Sequence, residues 1–461
     1  GACDRLLTRD GSMLLQTILE QQLERKVGKI YGPVGKYKLI YFIDDLNMPA
    51  LDKYDTQSAI ALVRQHKDYE HWYDRTKLTI KEIKSTMYVA AMNPTAGSFV
   101  VNPRLQRHFF LCAIQFPDQS NLSTIFSAYL NKHFSKYKSS IQELVNHAIK
   151  TALTLHTEVT MKFQKTSINF HYEFNVRHLS NVFQGMLQAR PEAIKEPDHF
   201  VQLWAHECER IYGDRLVSPE HLKIFKTFTS EQAKKAFPRT NLAKFYAEQN
   251  PEPLIFANFV ASLDDKLYDR FPSQAAMAAK LQEALNLYNE EYAVMDLVLF
   301  DDAMKHACRI SRIISQDGGH ALLVGVGGSG KQSLSRLASK ICDFTTTVIV
   351  ISSSYGLADL KVDLQKMYMK TGVKDEGVMF LFTEGQITNE RFLVFINDLL
   401  SSGEIADLFP VEDMDGIVNS VRSAVKGAGL IDNKDTCWKF FLDRVRKNLH
   451  MSLCFSPVGD D

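Results

Sequence analysis

The chain has 461 residues, 45% of them hydrophobic, and balances 54 Lys plus Arg against 54 Asp plus Glu. That length provides two or three domains with real apolar cores, and the charge balance offers no global basic surface for nucleic acid. No apolar run approaches the ~20 residues of a membrane helix and no signal peptide opens the sequence, so no membrane or secretory role is expected. In chain order, a helical stretch is expected over 13–27, with Leu15, Leu19 and Leu23 on one face and Gly28 as its stop. Apolar runs at 39–43, 88–92 and 109–116 read as buried parallel strands. From 121 to 216 the pattern turns helical. The stretch 225–280 is mixed and punctuated by Phe237-Pro238, Asn250-Pro251-Glu252-Pro253 and Phe271-Pro272, as a connection between modules would be. A helix with Leu281, Leu285 and Tyr288 in register then leads to strands at 321–324, 347–351, 378–382 and 451–455.

The second strand series partly repeats the first. Leu39-Ile40-Tyr41-Phe42-Ile43-Asp44-Asp45 matches Val378-Met379-Phe380-Leu381-Phe382-Thr383-Glu384 in pattern, and 88–94 matches 451–457. Asp45 to Asn93 is the shorter spacing and Glu384 to Ser456 the longer, with the surplus in the polar stretch 412–435. One and a half copies of an α/β unit are therefore expected.

The strongest chemical signal is Gly325-Val326-Gly327-Gly328-Ser329-Gly330-Lys331, between the strand at 321–324 and a helix at 332–341. This is a G-x-x-x-x-G-K loop in its strand–loop–helix context. Glycines let successive backbone N–H groups turn onto phosphate oxygens at a helix N-terminus, and Lys331 offers a point charge. The plain alternative is a flexible glycine turn. The next position, where Ser or Thr would hold Mg²⁺, is Gln332, with Ser333 one place late. On the acid strand Thr383 stands where the metal-binding Asp is expected, while Glu384 keeps the water-orienting position. Binding without fast turnover is the natural reading, and a strand cap is the plain alternative for Glu384. Upstream, Asp44 holds the metal position and Asp45 is one methylene short of a Glu. The phosphate loop of that copy must come N-terminal to its acid strand, so the chain, whose first residue is Gly1, is expected to start mid-domain.

Asn93 at the end of the following strand is a candidate sensor of the attacking water or γ-phosphate. Arg107, in Asn102-Pro103-Arg104-Leu105-Gln106-Arg107-His108, is a candidate arginine finger aimed at a neighbour's nucleotide. Arg104 competes for that role, and a surface salt bridge is the plain alternative. Arg177 sits early in a lid helix, within reach of its own module's γ-phosphate. Two further signals are declined. His206-Glu207-Cys208-Glu209-Arg210 lacks the second histidine of a zinc motif, and His71-Trp72-Tyr73-Asp74-Arg75 reads as a packed loop rather than a base-stacking platform. Seven scattered cysteines without a C-x-x-C pair point to a reduced, intracellular protein.

At these residues a family resemblance becomes specific. Tyr41-Phe42-Ile43-Asp44-Asp45-Leu46-Asn47-Met48-Pro49, Met92-Asn93-Pro94-Thr95 and Pro103-Arg104-Leu105-Gln106-Arg107-His108-Phe109 resemble the third AAA+ module of axonemal dynein heavy chains. Gly319-His320-Ala321-Leu322-Leu323-Val324 through Lys331-Gln332-Ser333-Leu334, with Ser354-Tyr355-Gly356 and Ser456-Pro457-Val458-Gly459-Asp460, resemble the fourth. Gln332 and Thr383 are what those chains carry at these positions, and 60–78 is most similar to outer-arm β-type chains.

The resemblance implies AAA+ P-loop modules, α/β with parallel sheets and a helical lid. Two incomplete modules would lie in tandem: 1–120 the later part of the third module's large subdomain, 121–235 its lid, 236–280 the linker, and 281–461 the first part of the fourth. It implies ATP or ADP and Mg²⁺ as cofactors, with Asp44 and Ser333 as metal ligands. It also implies a six-module ring that hydrolyses ATP chiefly in its first module and moves toward microtubule minus ends through a stalk outside this chain. The third and fourth modules would be regulatory. Partners would be the other modules, intermediate and light chains and other heavy chains, in the axoneme of a cilium or flagellum. The competing readings are a nucleotide-stabilised, non-hydrolytic scaffold and a free-standing AAA+ unfoldase, the latter disfavoured by the difference between the two copies.

Overall fold

A computed structural model describes residues 11–49, 51–93, 100–240, 242–247, 251–405 and 408–457. Cys3, Pro94, Thr95, Asn250, Val458, Gly459 and Asp460 lie outside the described residues. Two compact units emerge: one of residues up to 114 with 356–361 and 387–413, the other of 115–355, 362–386 and 414 onward.

In the first unit the helix Gly11–Glu20 buries Leu15 and Leu19 against Ile60, Val63 and Trp72. The expected helix over 13–27 is corrected here. It ends at Glu20, and strand β1 (Leu23–Val27) turns back antiparallel onto β2 (Ile30–Pro33). Gly28, with φ +58°, makes the turn, a conformation that glycine adopts at no steric cost. Three leucines four apart fit a helix, but Leu23 reaches the same core from a strand.

Strand β3 (Leu39–Ile43) forms as expected, parallel to β6 (Thr86–Ala90), whose Thr86 pairs with Leu39. That register puts the second strand two residues earlier than 88–92. The expectation that both strands are buried is corrected: they alternate, with Tyr41, Ile43, Tyr88 and Ala90 packed on the core and Ile40, Phe42, Met87 and Val89 exposed. Strands β4 (His71–Tyr73) and β5 (Ile80–Ile83) complete a second sheet in the order β1-β2-β5-β4. His71–Tyr73 of the aromatic cluster is thus a strand, not a loop, and its Trp72 is a core residue rather than a stacking platform. Trp72 is fully buried and its indole N–H donates to Glu20 Oε1 at 2.8 Å. The run 109–116 is not a strand, for it has no ladder within the described residues and Phe110 and Ile114 stay exposed.

The second unit begins with five helices, Gln119–Phe134, Ser139–Lys162, Val176–Met186, Pro197–Ile211 and Pro219–Ala236, in keeping with the helical pattern. They close on Phe134, Ile141, Trp204 and Phe225. A short antiparallel pair, β7 (Phe256–Ala257) and β8 (Asp269–Arg270), leads to the helices Gln274–Glu291 and Asp301–Ile314. Beyond them lies an all-parallel sheet of β9 (Ala321–Val324), β10 (Thr345–Thr347), β11 (Val378–Thr383) and β12 (Leu449–Phe455), in the order β10-β11-β12-β9. Strand β10 ends at the first residue of the strand expected over 347–351. Its three threonines pair with Val378–Phe380, whereas 348–351 have no ladder. The polar stretch 412–435 is largely the helix Val411–Gly427.

One buried charge pair ties the five helices to the helix Asp301–Ile314 that precedes the parallel sheet. Glu207, fully buried, pairs with the Arg312 guanidinium on that helix and accepts from Tyr268 Oη at 2.5 Å. Burial works against the Arg312 charge, but attraction to Glu207 and Tyr268 outweighs it and raises its pKa. Gly185 makes the room: a Cβ there would collide with the Glu207 carboxylate and the Arg312 guanidinium. Nearby, Arg210 pairs with Glu209 and Asp214, both at 3.0 Å, in the place where a zinc motif needs its second histidine.

Candidate nucleotide site

Strand β9 ends at Val324, and the Gly325 N–H donates to Phe455 O at 3.1 Å, so the glycine loop leaves the sheet beside the end of β12. Gly328 and Gly330 have φ of +78° and +77°. A Cβ at either would meet open space, so the left-handed turn, not lack of room, calls for glycine. Gly330 hands over to the helix Lys331–Ile341, whose first-turn N–H groups have no partners within the helix. They make the anion-binding end. The Lys331 ammonium donates to Gly325 O at 2.5 Å, Val326 O at 2.8 Å and Ser329 Oγ at 3.2 Å. It therefore rests within the loop, at the mouth of the helix. Ser335 fastens that helix to the sheet, donating to Lys331 O at 2.8 Å and lying 2.7 Å from Ser452 Oγ on β12.

Strand β12 separates the loop strand β9 from the acid strand β11, and all three run parallel, so their C-terminal ends open on one edge. Neighbouring strands lie ~4.8 Å apart, so the loop and Glu384 flank a single strand. Two consecutive residues make the link. Phe455 O accepts from Gly325 N–H, and the Ser456 N–H donates to Glu384 Oε2 at 3.1 Å. The strand-cap role considered for Glu384 is thus present, with the carboxylate exposed at the same time. Gln386 holds the strand end from the other side, accepting from Thr383 N–H at 2.8 Å and donating to Ile349 O at 2.7 Å. Gln332 is exposed, and Ser333 and Thr383 are half-buried.

In the first unit Asp44, Asp45 and Asn93 are brought to one end of the β3–β6 pair. The Asp45 N–H donates to Asp44 Oδ1 at 3.1 Å, Leu46 N–H to Ala91 O at 3.1 Å, and Asn47 Nδ2 to Asn93 O at 3.0 Å. Asp45 lies at φ +50°, and all three candidates are exposed. Arg107 comes directly after the short helix Pro103–Gln106, which Asn102 caps by accepting from Arg104 N–H at 2.9 Å. Its guanidinium pairs with Asp68 at 2.7 Å, so the salt bridge considered for it exists. Arg177, in the second unit, is exposed on the first turn of Val176–Met186, after a capping box of Asn175 and His178. Sequence reasoning missed Asp68, whose only local signal is its spacing of four from Arg64. It also missed Gln386 and the Ser335–Ser452 contact, which joins residues 117 apart.

Among the described residues no group of three or more His, Cys, Asp or Glu side chains is placed to hold a metal ion. The built feature is a glycine loop at a helix N-terminus with the Glu384 carboxylate just past the end of β11.

Comparison with known proteins agrees with this geometry. Residues 295–461 match the family model described as the P-loop containing dynein motor region D4, residues 7–117 a P-loop containing dynein motor region, and residues 148–243 an AAA+ lid domain. The chain is 55% identical over 447 residues to the flagellar outer-arm dynein alpha chain of Chlamydomonas reinhardtii. It is 49% identical over 450 residues to the ciliary dynein beta chain of Tripneustes gratilla, and 46% over 450 to the flagellar outer-arm dynein beta chain of Chlamydomonas reinhardtii. Each comparison covers 97% of this chain and 10% of the relative, so the chain spans about a tenth of the length of the curated relatives it matches. The outer-arm likeness thus embraces alpha and beta chains alike.

Proposed function

Because this chain belongs to the axonemal dynein heavy chains and carries their AAA+ P-loop motor domains with a lid, we propose that it holds nucleotide within a dynein ring and regulates ATP-driven movement. The observation that carries this is the loop of 325–331, joined through Phe455 and Ser456 to Glu384 at one sheet edge. In this reading Gly325, Val326, Gly327, Gly328, Ser329, Gly330 and Lys331 cradle the phosphates of ATP or ADP, with Gln332 and Ser333 on the first helical turn. Glu384 orients water. Asp44, Asp45 and Asn93 serve the nucleotide of the preceding module, which Arg177 of the lid senses, and Arg107 acts on a neighbour's nucleotide. Asp44 in one copy and Ser333 in the other would hold Mg²⁺, which would supply charge to the phosphate oxygens. The neutral side chains Gln332 and Thr383 make hydrolysis at 325–331 slow.

Under the same proposal 1–120 and 121–235 are the later part and lid of a third module, 236–280 is the linker, and 281–461 begins a fourth. The other modules, intermediate and light chains and other heavy chains are its partners, microtubules are reached through a stalk, and the place of work is the axoneme of a cilium or flagellum. A second reading, nucleotide as a structural ligand without turnover, draws on the same neutral Gln332 and Thr383.

Lys331→Ala in the full heavy chain is the test, read as nucleotide occupancy resolved by site. Charge-assisted hydrogen bonds contribute about 1.5–3 kcal/mol, so occupancy at this loop should fall at least tenfold at limiting nucleotide. Equal occupancy in wild type and mutant would reject the proposal. ADP retained without turnover at the wild-type loop would favour the structural reading.

A further inference from the structure

The first unit contains a cleft of about 730 Å³ lined by four arginines, Arg64, Arg75, Arg104 and Arg107, and by one carboxylate, Asp68. Among the described residues, four guanidinium groups against one acid leave an excess of three positive charges in a single concavity. The arginines are not alike. Arg75 is held by neutral partners, donating to Gln16 Oε1 at 2.8 Å and to Ser12 Oγ at 3.0 Å. Gln16 is itself fixed, donating to Tyr73 O at 2.8 Å and Glu20 Oε1 at 2.9 Å. The position of Arg75 is thus set while its charge stays uncompensated by these contacts. Arg107, by contrast, is paired with Asp68 at 2.7 Å.

Asp68 has three cationic or ionisable neighbours. Besides Arg107 it meets His108 Nε2 at 2.7 Å and Arg64 Nε at 3.9 Å. Releasing Arg107 therefore leaves the carboxylate with its other contacts. Asp68 is half-buried and the pair lies at the surface, where a single ion pair contributes little, so exchanging Arg107 to an incoming anion costs little. Arg107 is the most exposed partner, at 61% against 18% for Asp68, and so the one free to swing. Guanidinium forks match phosphate oxygens in pairs, and several forks in one cleft suit an anion carrying several phosphates.

We propose that this cleft is a polyphosphate-binding site, with Arg75 as a fixed anchor and Asp68 as a resident carboxylate that the incoming anion displaces from Arg107. The inference deepens the reading of Arg107 and rests on it only for the source of the phosphate. That source is either a nucleotide presented by a neighbouring module or free polyphosphate.

Inorganic tripolyphosphate, titrated calorimetrically into the 461-residue chain carrying Lys331→Ala, measures the cleft with the glycine loop weakened. Arg75→Ala should weaken binding about tenfold, the loss of one charge-assisted contact. Asp68→Asn, of nearly the same shape, should strengthen it about threefold by freeing Arg107. Affinity unchanged by Arg75→Ala, or lowered by Asp68→Asn, overturns the proposal. In the full heavy chain, site-resolved occupancy separates the sources. A fall with Arg75→Ala at the module before the one that holds Asp44 identifies presented nucleotide; no change there, with tripolyphosphate binding still sensitive to Arg75, identifies free polyphosphate. Affinity lowered by Arg75→Ala but unchanged by Arg107→Ala would likewise overturn the displacement of Asp68 from Arg107.

Discussion

The two strand ends that carry acids, Asp44-Asp45 after β3 and Thr383-Glu384 at the end of β11, are alike in sequence pattern and unlike in backbone. Asp45 lies at φ +50°, in the left-handed region. Aspartate and asparagine populate that region several times more readily than other non-glycine residues. Glu384 instead opens a 3₁₀ turn, where a longer side chain sits without strain and reaches the Ser456 N–H. The missing methylene of Asp45 is therefore matched by the local chain path. Residue type at an acid position records the turn at the strand's end as well as the chemistry. The sheets differ in the same sense: Val378–Phe382 of β11 is buried throughout, whereas β3 alternates and leaves Ile40 and Phe42 exposed.

The largest expected effect tests the core of the second unit. Arg312→Met strands Glu207 in the core and should cost about 3–5 kcal/mol, while adding Glu207→Met should restore most of it. The first unit's comparable polar contact is weaker. Trp72→Phe removes one donor from Glu20, which keeps Gln16 and Lys81, so about 1 kcal/mol is expected. Hydrogen exchange resolved by peptide measures each unit in one experiment. Equal losses would erase the contrast.

Mild acid should separate the units next. Burial holds His66 in the first unit near pKa 4, and burial, helped by Arg215, does the same for His178 in the second. His320, also in the second, is likewise at about 4 through burial and then His450, and burial lowers His206 and His450 as well. Each histidine is neutral when folded and takes up a proton when unfolded below its ordinary pKa of about 6.5. Their stabilising contribution is thus complete above pH 6.5 and is lost as the pH falls toward 4. At pH 5.5 each residue held near 4 should cost about 1 kcal/mol, so the second unit should lose more than the first. Exchange protection at pH 7.5 and 5.5, corrected for intrinsic rates, checks the sign and the ranking.

The smallest effect probes the turn itself. Asp45→Gly should be neutral or stabilising by a few tenths of a kcal/mol, and Asp45→Glu destabilising by about 0.5 kcal/mol. At Glu384, where the turn is ordinary, Glu384→Asp should shorten the reach to Ser456 without backbone strain. Melting curves of the three variants test whether backbone or chemistry chose these residues.

The range of the forces involved decides how much of the molecule is legible in its sequence. Strands β3 and β9, the glycine loop and its helix are written locally, in apolar runs and in turns that only glycine makes at no cost. The span 109–116 misleads because an apolar run becomes a strand only with a ladder beside it, and that is a non-local condition. Residues 23–27 mislead because a leucine can reach one core from a helix or from a hairpin. Of the site, the phosphate loop and its neighbouring carboxylate are readable. The Asp68–Arg107 pair and the Glu207–Arg312 pair are not, since residues 39 and 105 apart meet only once the chain has folded.

Gly185 gives this separation a consequence for descent. On its own helix the residue looks expendable, with a negative φ and neighbours that ask nothing of it. Its constraint is imposed from Glu207 and Arg312, which occupy the volume a methyl group would need. A lineage that gains a side chain at 185 must first lose the charge pair, and one that loses the pair frees the glycine to drift. Glycine should therefore persist at 185 wherever the pair does and vary only where the pair is gone, and a helix-by-helix mutational scan would mistake for a backbone requirement what is in fact a tenancy.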